Sequence, residues 1–170
     1  ISFTNAIADL SMFKQQYAYG TYDVDFVDSV INVGANLVFL SPDAVVDVDN
    51  SNITVNSSFG NAGKFTLSNG SVMTVKSVLE STENGYNSGL TIVDKATLNV
   101  TGGVYSGYNT GKLQMVNGGV ATINKIVKST IELDADSTVN VTTIDATSSI
   151  ILGAGASMVA PEGLTVTTAE

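Results

Sequence analysis

Residues 63–75 read Gly63-Lys64-Phe65-Thr66-Leu67-Ser68-Asn69-Gly70-Ser71-Val72-Met73-Thr74-Val75. Phe65 and Leu67 stand two apart, and so do Met73 and Val75. That spacing puts both members of a pair on one side of an extended strand. Between the pairs lies Ser68-Asn69-Gly70-Ser71, residue types that make tight turns and accept left-handed backbone. The stretch reads as strand, corner, strand, with all four large side chains turned to one interior.

Working outward, the same offsets recur. Val38, Leu40, Val46 and Val48 fit them on the N-terminal side. On the C-terminal side come Leu90, Ile92, Leu98 and Val100, then Leu113, Met115, Ala121 and Ile123. Ile131, Leu133, Val139 and Val141 follow, and Ile150, Leu152, Met158 and Ala160 close the series. Turn formers sit between the pairs, as in Ser41-Pro42-Asp43, Asn117-Gly118-Gly119 and Gly153-Ala154-Gly155. A looser third strand is marked by Ile53 and Val55, by Val78, Val104, Ile126 and Ile144, and by Leu164 with Val166.

The anchors Leu40, Leu67, Ile92, Met115, Leu133 and Leu152 are 27, 25, 23, 18 and 19 residues apart. A fixed motif at this period is the signature of a solenoid, in which each coil buries its apolar face against the next. A β-meander would explain the alternation but not the coil-length repeat. A strict left-handed hexapeptide helix needs an aliphatic residue at 145, where Asp145 stands. The expected fold is all-β, a single-stranded right-handed parallel β-helix of about six to seven coils.

The ends differ. Residues 5–19 carry a helical spacing of apolar side chains (Ile7, Leu10, Phe13, Tyr17), with Asn5 as N-cap and Gly20 as stop. This predicts a short helix within residues 1–20 that covers the exposed edge of the first coil. Residues 21–33, with Tyr22, Val24 and Phe26, then form an irregular first coil, and the solenoid fills 21–170. The chain starts at Ile1 and ends in the strand-like Leu164-Thr165-Val166-Thr167, so it reads as a piece of something longer.

Composition narrows function. Seven Lys, no Arg and sixteen Asp plus Glu give a net charge of −9, which repels phosphate backbones; no nucleic-acid partner is expected. No apolar run is long enough to span a membrane. Absence of His and Cys removes serine–histidine and cysteine chemistry and thiolate metal sites. A hydrolase needs two facing carboxylates; Asp47 and Asp49 find only Thr74 and Lys76 at the same template offsets one unit on. Asp23, Asp25, Asp28, Asp47, Asp49, Asp134 and Asp136 are oxygen donors, yet they match neither an EF-hand nor a nonapeptide calcium roll. No enzyme, cofactor or metal is expected. An ice-binding array needs a regular Thr column, and the outward series Asp47, Thr74, Asn99, Thr122, Asn140, Val159 is too irregular.

The best candidate site is a second repeat. Gly85-Tyr86-Asn87-Ser88-Gly89 recurs as Gly107-Tyr108-Asn109-Thr110-Gly111, with Phe59-Gly60-Asn61-Ala62-Gly63 as a relative. Each precedes a first strand, so the three should stack at one corner, with Asn in left-handed backbone. Tyr86, Asn87, Tyr108 and Asn109 then form a strip against which a sugar or peptide could lie.

The coil motif of residues 63–75, seen again in 130–141, resembles the imperfect repeats of autotransporter-type bacterial adhesin passengers, over roughly residues 35–168. The resemblance implies secretion, display on the bacterial cell surface, and adhesion or self-association, in virulence for example. Expected partners are a glycan or protein on another surface, or a second copy. A carbohydrate-active β-helix enzyme fragment and a phage tail-fibre segment are the alternatives.

Overall fold

The computed structural model describes residues 1–15, 20–79, 89–105, 112–134, 136–145, 147–160 and 167–168. Its strands follow one another coil by coil: β1 (Ser2–Thr4), β2 (Ile7–Leu10) and β3 (Phe13–Lys14); β4 (Tyr22–Val27), β5 (Val30–Val33) and β6 (Leu37–Phe39). Next come β7 (Ala44–Asp49) and β8 (Asn52–Asn61), β9 (Lys64–Ser68) and β10 (Val72–Leu79), β11 (Leu90–Asp94) and β12 (Thr97–Tyr105). The stack continues through β13 (Lys112–Val116) and β14 (Val120–Val127), and β15 (Thr130–Leu133) and β16 (Thr138–Ile144). It finishes with β17 (Ser149–Leu152), β18 (Ser157–Val159) and β19 (Thr167–Thr168).

All pairings are parallel, and the chain is a parallel β-solenoid. One nine-stranded sheet, here sheet A, runs β1-β4-β7-β9-β11-β13-β15-β17-β19. The other, sheet B, has ten strands and takes up both the second and third strands of each coil. The expected third face is therefore an extension of the second across a bend. Register shifts mark the bend between Val75 and Ser77 and between Val100 and Val104. A bulge at each place turns the strand without ending it.

The interior is a set of axial columns. In sheet A, Phe3, Phe26, Val48, Leu67, Val93, Met115, Leu133 and Leu152 lie one above another. In sheet B the matching column is Ala8, Ile31, Ile53, Met73, Leu98, Ala121, Val139 and Met158. All six phenylalanines lie in the N-terminal coils. Phe3 stacks on Phe26 with centroids 5.1 Å apart, and Phe65 meets Phe59 at 4.5 Å and Phe39 at 6.1 Å. Such ring pairs add about 0.5–1.5 kcal/mol each beyond area burial. Among the described residues, the buried hydrophobic side chains beyond Phe65 are Val, Ile, Leu, Met and Ala.

Three expectations need correction. Residues 7–14 form β2 and β3 rather than a helix, and Ile7 is 85% exposed. Asn5 has φ 51°, a left-handed corner residue rather than an N-cap. Ala8 and Leu10 carry the two-residue period and pack against the core, and parallel pairing of Ile7–Leu10 with Val30–Val33 favours it over the helical one. Residues 22–33 are a regular coil, in register with the rest. Finally, two template pairs are out of phase. Leu37 and Phe39 are buried in place of Val38 and Leu40, and Thr91 and Val93 in place of Leu90 and Ile92.

The phase errors come from the corners. Asn69 and Gly70 have φ of 51° and 81°, and Asn117 and Gly118 have 52° and 82°. At other corners a lone left-handed residue turns the chain: Asp28, Asn50 or Lys95. Those corners are one residue shorter, so counting back from Leu98 reaches Val93, not Ile92. Val46 and Val48 likewise belong to sheet A, in register with Phe65 and Leu67.

A hydroxyl ladder locks the first corner. Ala6 N donates to Ser29 Oγ (3.0 Å), Ser29 N to Ser51 Oγ (2.9 Å), and Ser51 N to Ser71 Oγ (3.0 Å). Each hydroxyl in turn donates to a carbonyl: Ser29 to Val27 O, Ser51 to Asp49 O, Ser71 to Val48 O. All three serines are buried. A buried amide needs a partner, and an extended corner cannot supply one locally.

Two outcomes follow. Val93→Asp should cost several kcal/mol in urea unfolding, as expected for an unpaired charge in the core, whereas Ile92→Asp should cost under about 1 kcal/mol. Equal costs would contradict the register. Ser51→Ala strands the Ser29 amide and should cost about 1–3 kcal/mol in the same assay.

Candidate functional site

The outer surface divides by charge. Strands β8, β10, β12, β14 and β16 of sheet B contain no Asp or Glu, and only Lys76 and Lys125 are charged. Sheet A carries Asp23, Asp25, Asp47, Asp49, Asp94 and Glu132. Among the described residues the acidic side chains thus lie mainly on sheet A and at the corners, with Asp9 on β2 of sheet B.

Sheet B's outward side is a grid of amide and hydroxyl groups. One axial column runs Asn32, Thr54, Thr74, Asn99, Thr122, Asn140. The sequence-based column began at Asp47, which in fact faces out from sheet A between Asp25 and Thr66. Two residues along each strand, at the bend, stand Asn56, Lys76, Thr101, Asn124 and Thr142, all exposed. Axial neighbours are about 4.8 Å apart and strand neighbours about 6.6 Å. Two shallow depressions follow the bend. One of about 290 Å³ is lined by Thr54, Asn56, Thr74, Lys76, Thr101 and Gly102. The other, about 410 Å³, is lined by Asn99, Thr101, Thr122, Asn124 and Thr142. Thr101 lines both, so the two depressions adjoin along the bend, and together they are called the groove below.

An aromatic side chain, Tyr105, follows the groove-lining Gly102 on β12, although it lines neither depression itself. A Cβ on Gly103 would lie 2.8 Å from Cε2, Cζ and the hydroxyl oxygen of Tyr105. Glycine at 103 lets that ring fold back along its own strand, beside the groove-lining Gly102. Tyr105 is partly exposed.

Tyr86, Asn87, Tyr108 and Asn109 lie outside the described residues. The segments that hold them both connect sheet B to sheet A, from β10 to β11 and from β12 to β13. The glycines that end two of the motifs are described and are stacked: Leu90 N donates to Gly63 O (2.8 Å) and Lys112 N to Gly89 O (3.1 Å). A Cβ on Gly89 would lie 2.0 Å from Asn61 O, so no larger residue fits there. Asn61, in the related motif, belongs to β8 rather than to a left-handed corner. Its buried amide donates to Gly63 O and Leu90 O and accepts from Gly63 N. Here the motif's Asn ties one coil to the next.

Of the acidic residues considered as oxygen ligands, Asp28, Asp49 and Asp134 serve the corners, and Asp94 does the same. Asn50 Nδ2 donates to Asp28 Oδ1 (2.7 Å), Asn69 Nδ2 to Asp49 Oδ1 (2.7 Å), and Asn117 Nδ2 to Asp94 Oδ1 (2.9 Å). Asp134 Oδ1 accepts from the amide of Asn117 (3.0 Å) and from Ser137 Oγ (3.1 Å). Among the described residues, no three His, Cys, Asp or Glu side chains converge as a metal centre would require. Glu132 accepts from Lys112 Nζ (2.9 Å) and Gln114 Nε2 (2.7 Å); those bonds, the lysine's foremost, hold its carboxyl below the usual range.

Asp145 does for its corner what the serines do for theirs. Its Oδ1 accepts from Ser148 Oγ (2.6 Å), Thr147 N (3.1 Å), Thr147 Oγ1 (3.0 Å) and Lys128 N (3.2 Å). The Ser148 hydroxyl first, then the Lys128 amide and Thr147, lower its pKa from 3.8 to about 2. A depressed carboxylate contributes stability that is fully present above its ordinary pKa and lost as the pH falls through the folded value. The melting temperature should therefore fall between pH 3.8 and about 2, and Asp145→Asn should flatten that part of the curve. An unchanged slope in the variant would show that this carboxylate does not hold the corner.

No protein-family model matches this chain, and comparison with curated proteins and with solved structures likewise finds no match.

Proposed function

We propose that this chain is a non-enzymatic β-helix module displayed outside the cell, an adhesin or structural shaft that meets its partner with its flank. One observation carries the reading: an acidic flank and an amide-hydroxyl flank without carboxylates from β8 to β16 run side by side along many coils on one continuous core. A repetitive surface of this kind suits contact with an extended or repeated partner, because each coil offers the same groups again. Corner ladders of Ser, Asn and Asp stiffen the shaft between the points where load enters and leaves. The resemblance of the coil motif to adhesin passengers supports the same reading.

A glycoside hydrolase reading would start from Asp25 and Asp47, which are register neighbours on adjacent coils. Paired carboxylates about 5 Å apart are the retaining arrangement. These two face out from sheet A, and neither groove depression includes them.

Beads coated with the protein should be retained on cultured cells or on polysaccharide-coated plates, with no release of reducing ends or unsaturated sugars into solution. Turnover of any polysaccharide, abolished by Asp25→Asn or Asp47→Asn, would replace the adhesive reading with the enzymatic one.

A further inference from the structure

We infer that the axial groove at the bend of sheet B binds a neutral polysaccharide chain lying along the coil axis, with the Tyr105 ring as its stacking platform. The inference rests on the display reading above and names the partner's chemistry. The groove's polar groups are Asn amides and Thr hydroxyls, each able to donate and to accept. A neutral sugar presents hydroxyl groups with the same dual capacity. The axial repeat of about 4.8 Å is close to the length of one pyranose ring in an extended chain, so successive sugars meet successive coils in the same way. Tyr105 offers the apolar ring face that a pyranose C–H face packs against.

Charge selects the neutral class. Groove strands lack carboxylates, and Lys76 is the only cation lining either depression, while the chain carries −9 overall. An anionic glycan would be repelled by the acidic flank and would find one partner in the groove. Relief selects a chain over a flat lattice, because the two depressions sink between the bend and the strand column. Shallow subsites bind weakly one at a time, but a polymer that spans several coils engages them together.

The test is affinity electrophoresis of the intact chain in native gels that contain dextran, galactomannan, soluble mixed-linkage β-glucan or polygalacturonate. Retardation is expected in at least one neutral polymer and not in polygalacturonate. Thr122→Glu places a charge in the groove and should weaken the retardation about tenfold. Tyr105→Ala, which leaves the column intact, should weaken it roughly threefold. Glu132→Gln on sheet A should change nothing, and all three variants should melt as the parent does. The inference is overturned if no neutral polymer retards the protein, or if Glu132→Gln loses binding while Thr122→Glu keeps it. Coated beads separate this failure from failure of the display reading. Adhesion to cells that survives without neutral-polymer binding, and that protease treatment of the cells destroys, assigns a protein partner and overturns the glycan site alone.

Discussion

Every coil in this molecule depends on the parallel ladder. A parallel strand cannot satisfy its amides and carbonyls within itself, so its strand ladder is made only with the coils above and below. The ladder continues without a break only if every corner returns the chain at the same height and phase. That requirement explains why left-handed residues recur at the corners, at Asp28, Asn50, Asn69, Lys95, Asn117, Lys128 and Asp136. It also explains why corner side chains bond along the axis rather than to solvent. Serine hydroxyls at 29, 51 and 71, and carboxylates at 134 and 145, take amides that the turning backbone would otherwise leave unpaired. Stability therefore accrues by stacking, since one coil alone has neither a closed ladder nor a covered core.

The interior obeys a second rule that follows from the first. Because identical offsets stack, side chains form columns, and a column must share volume among its members. Where Phe65 fills the second sheet A column, the next residue up is Thr91, the smallest in that stretch of the column. In sheet B, Met73 and Leu98 are followed by Ala121 and then Val139. The charge division outside has the same origin. One type of outward position, repeated coil after coil, becomes a stripe, so a modest bias at a position becomes a property of a whole flank.

Much of this was legible from spacing. Phe65, Leu67, Met73 and Val75, and the units at 113–123 and 131–141, are buried where the two-residue pairs put them. Spacing failed where the corner lost a residue, as at Asp94-Lys95-Ala96, because apolar residues on both sides of β11 let either phase fit. The corner at Lys95 has one left-handed residue where Asn69-Gly70 and Asn117-Gly118 have two, and Lys95 does not advertise left-handed backbone as Asn-Gly does. The N-terminal segment failed for a different reason: Ile7 and Leu10 fit a helical period while Ala8 and Leu10 fit the strand period, and pairing with the strand at 30–33 favours the second. The carboxylate-free flank was hidden by the same slip, since Asp47 stood in the column that belongs to Thr54. The serine ladder had a signal in plain view, a Ser two residues before each of Ile31, Ile53, Met73 and Val139.

The central claim is that residues related by one coil, not by one turn, are neighbours, and a cysteine-free chain permits a direct measurement of it. Thr54→Cys with Thr74→Cys places two thiols on register partners of adjacent parallel strands, within disulfide reach. Thr66→Cys with Thr74→Cys places them on different sheets, although a hairpin about Asn69-Gly70-Ser71 would set them face to face. Mild oxidation followed by mass spectrometry should find the intramolecular crosslink in the first pair and free thiols in the second. A crosslink in the second pair and none in the first would contradict the solenoid.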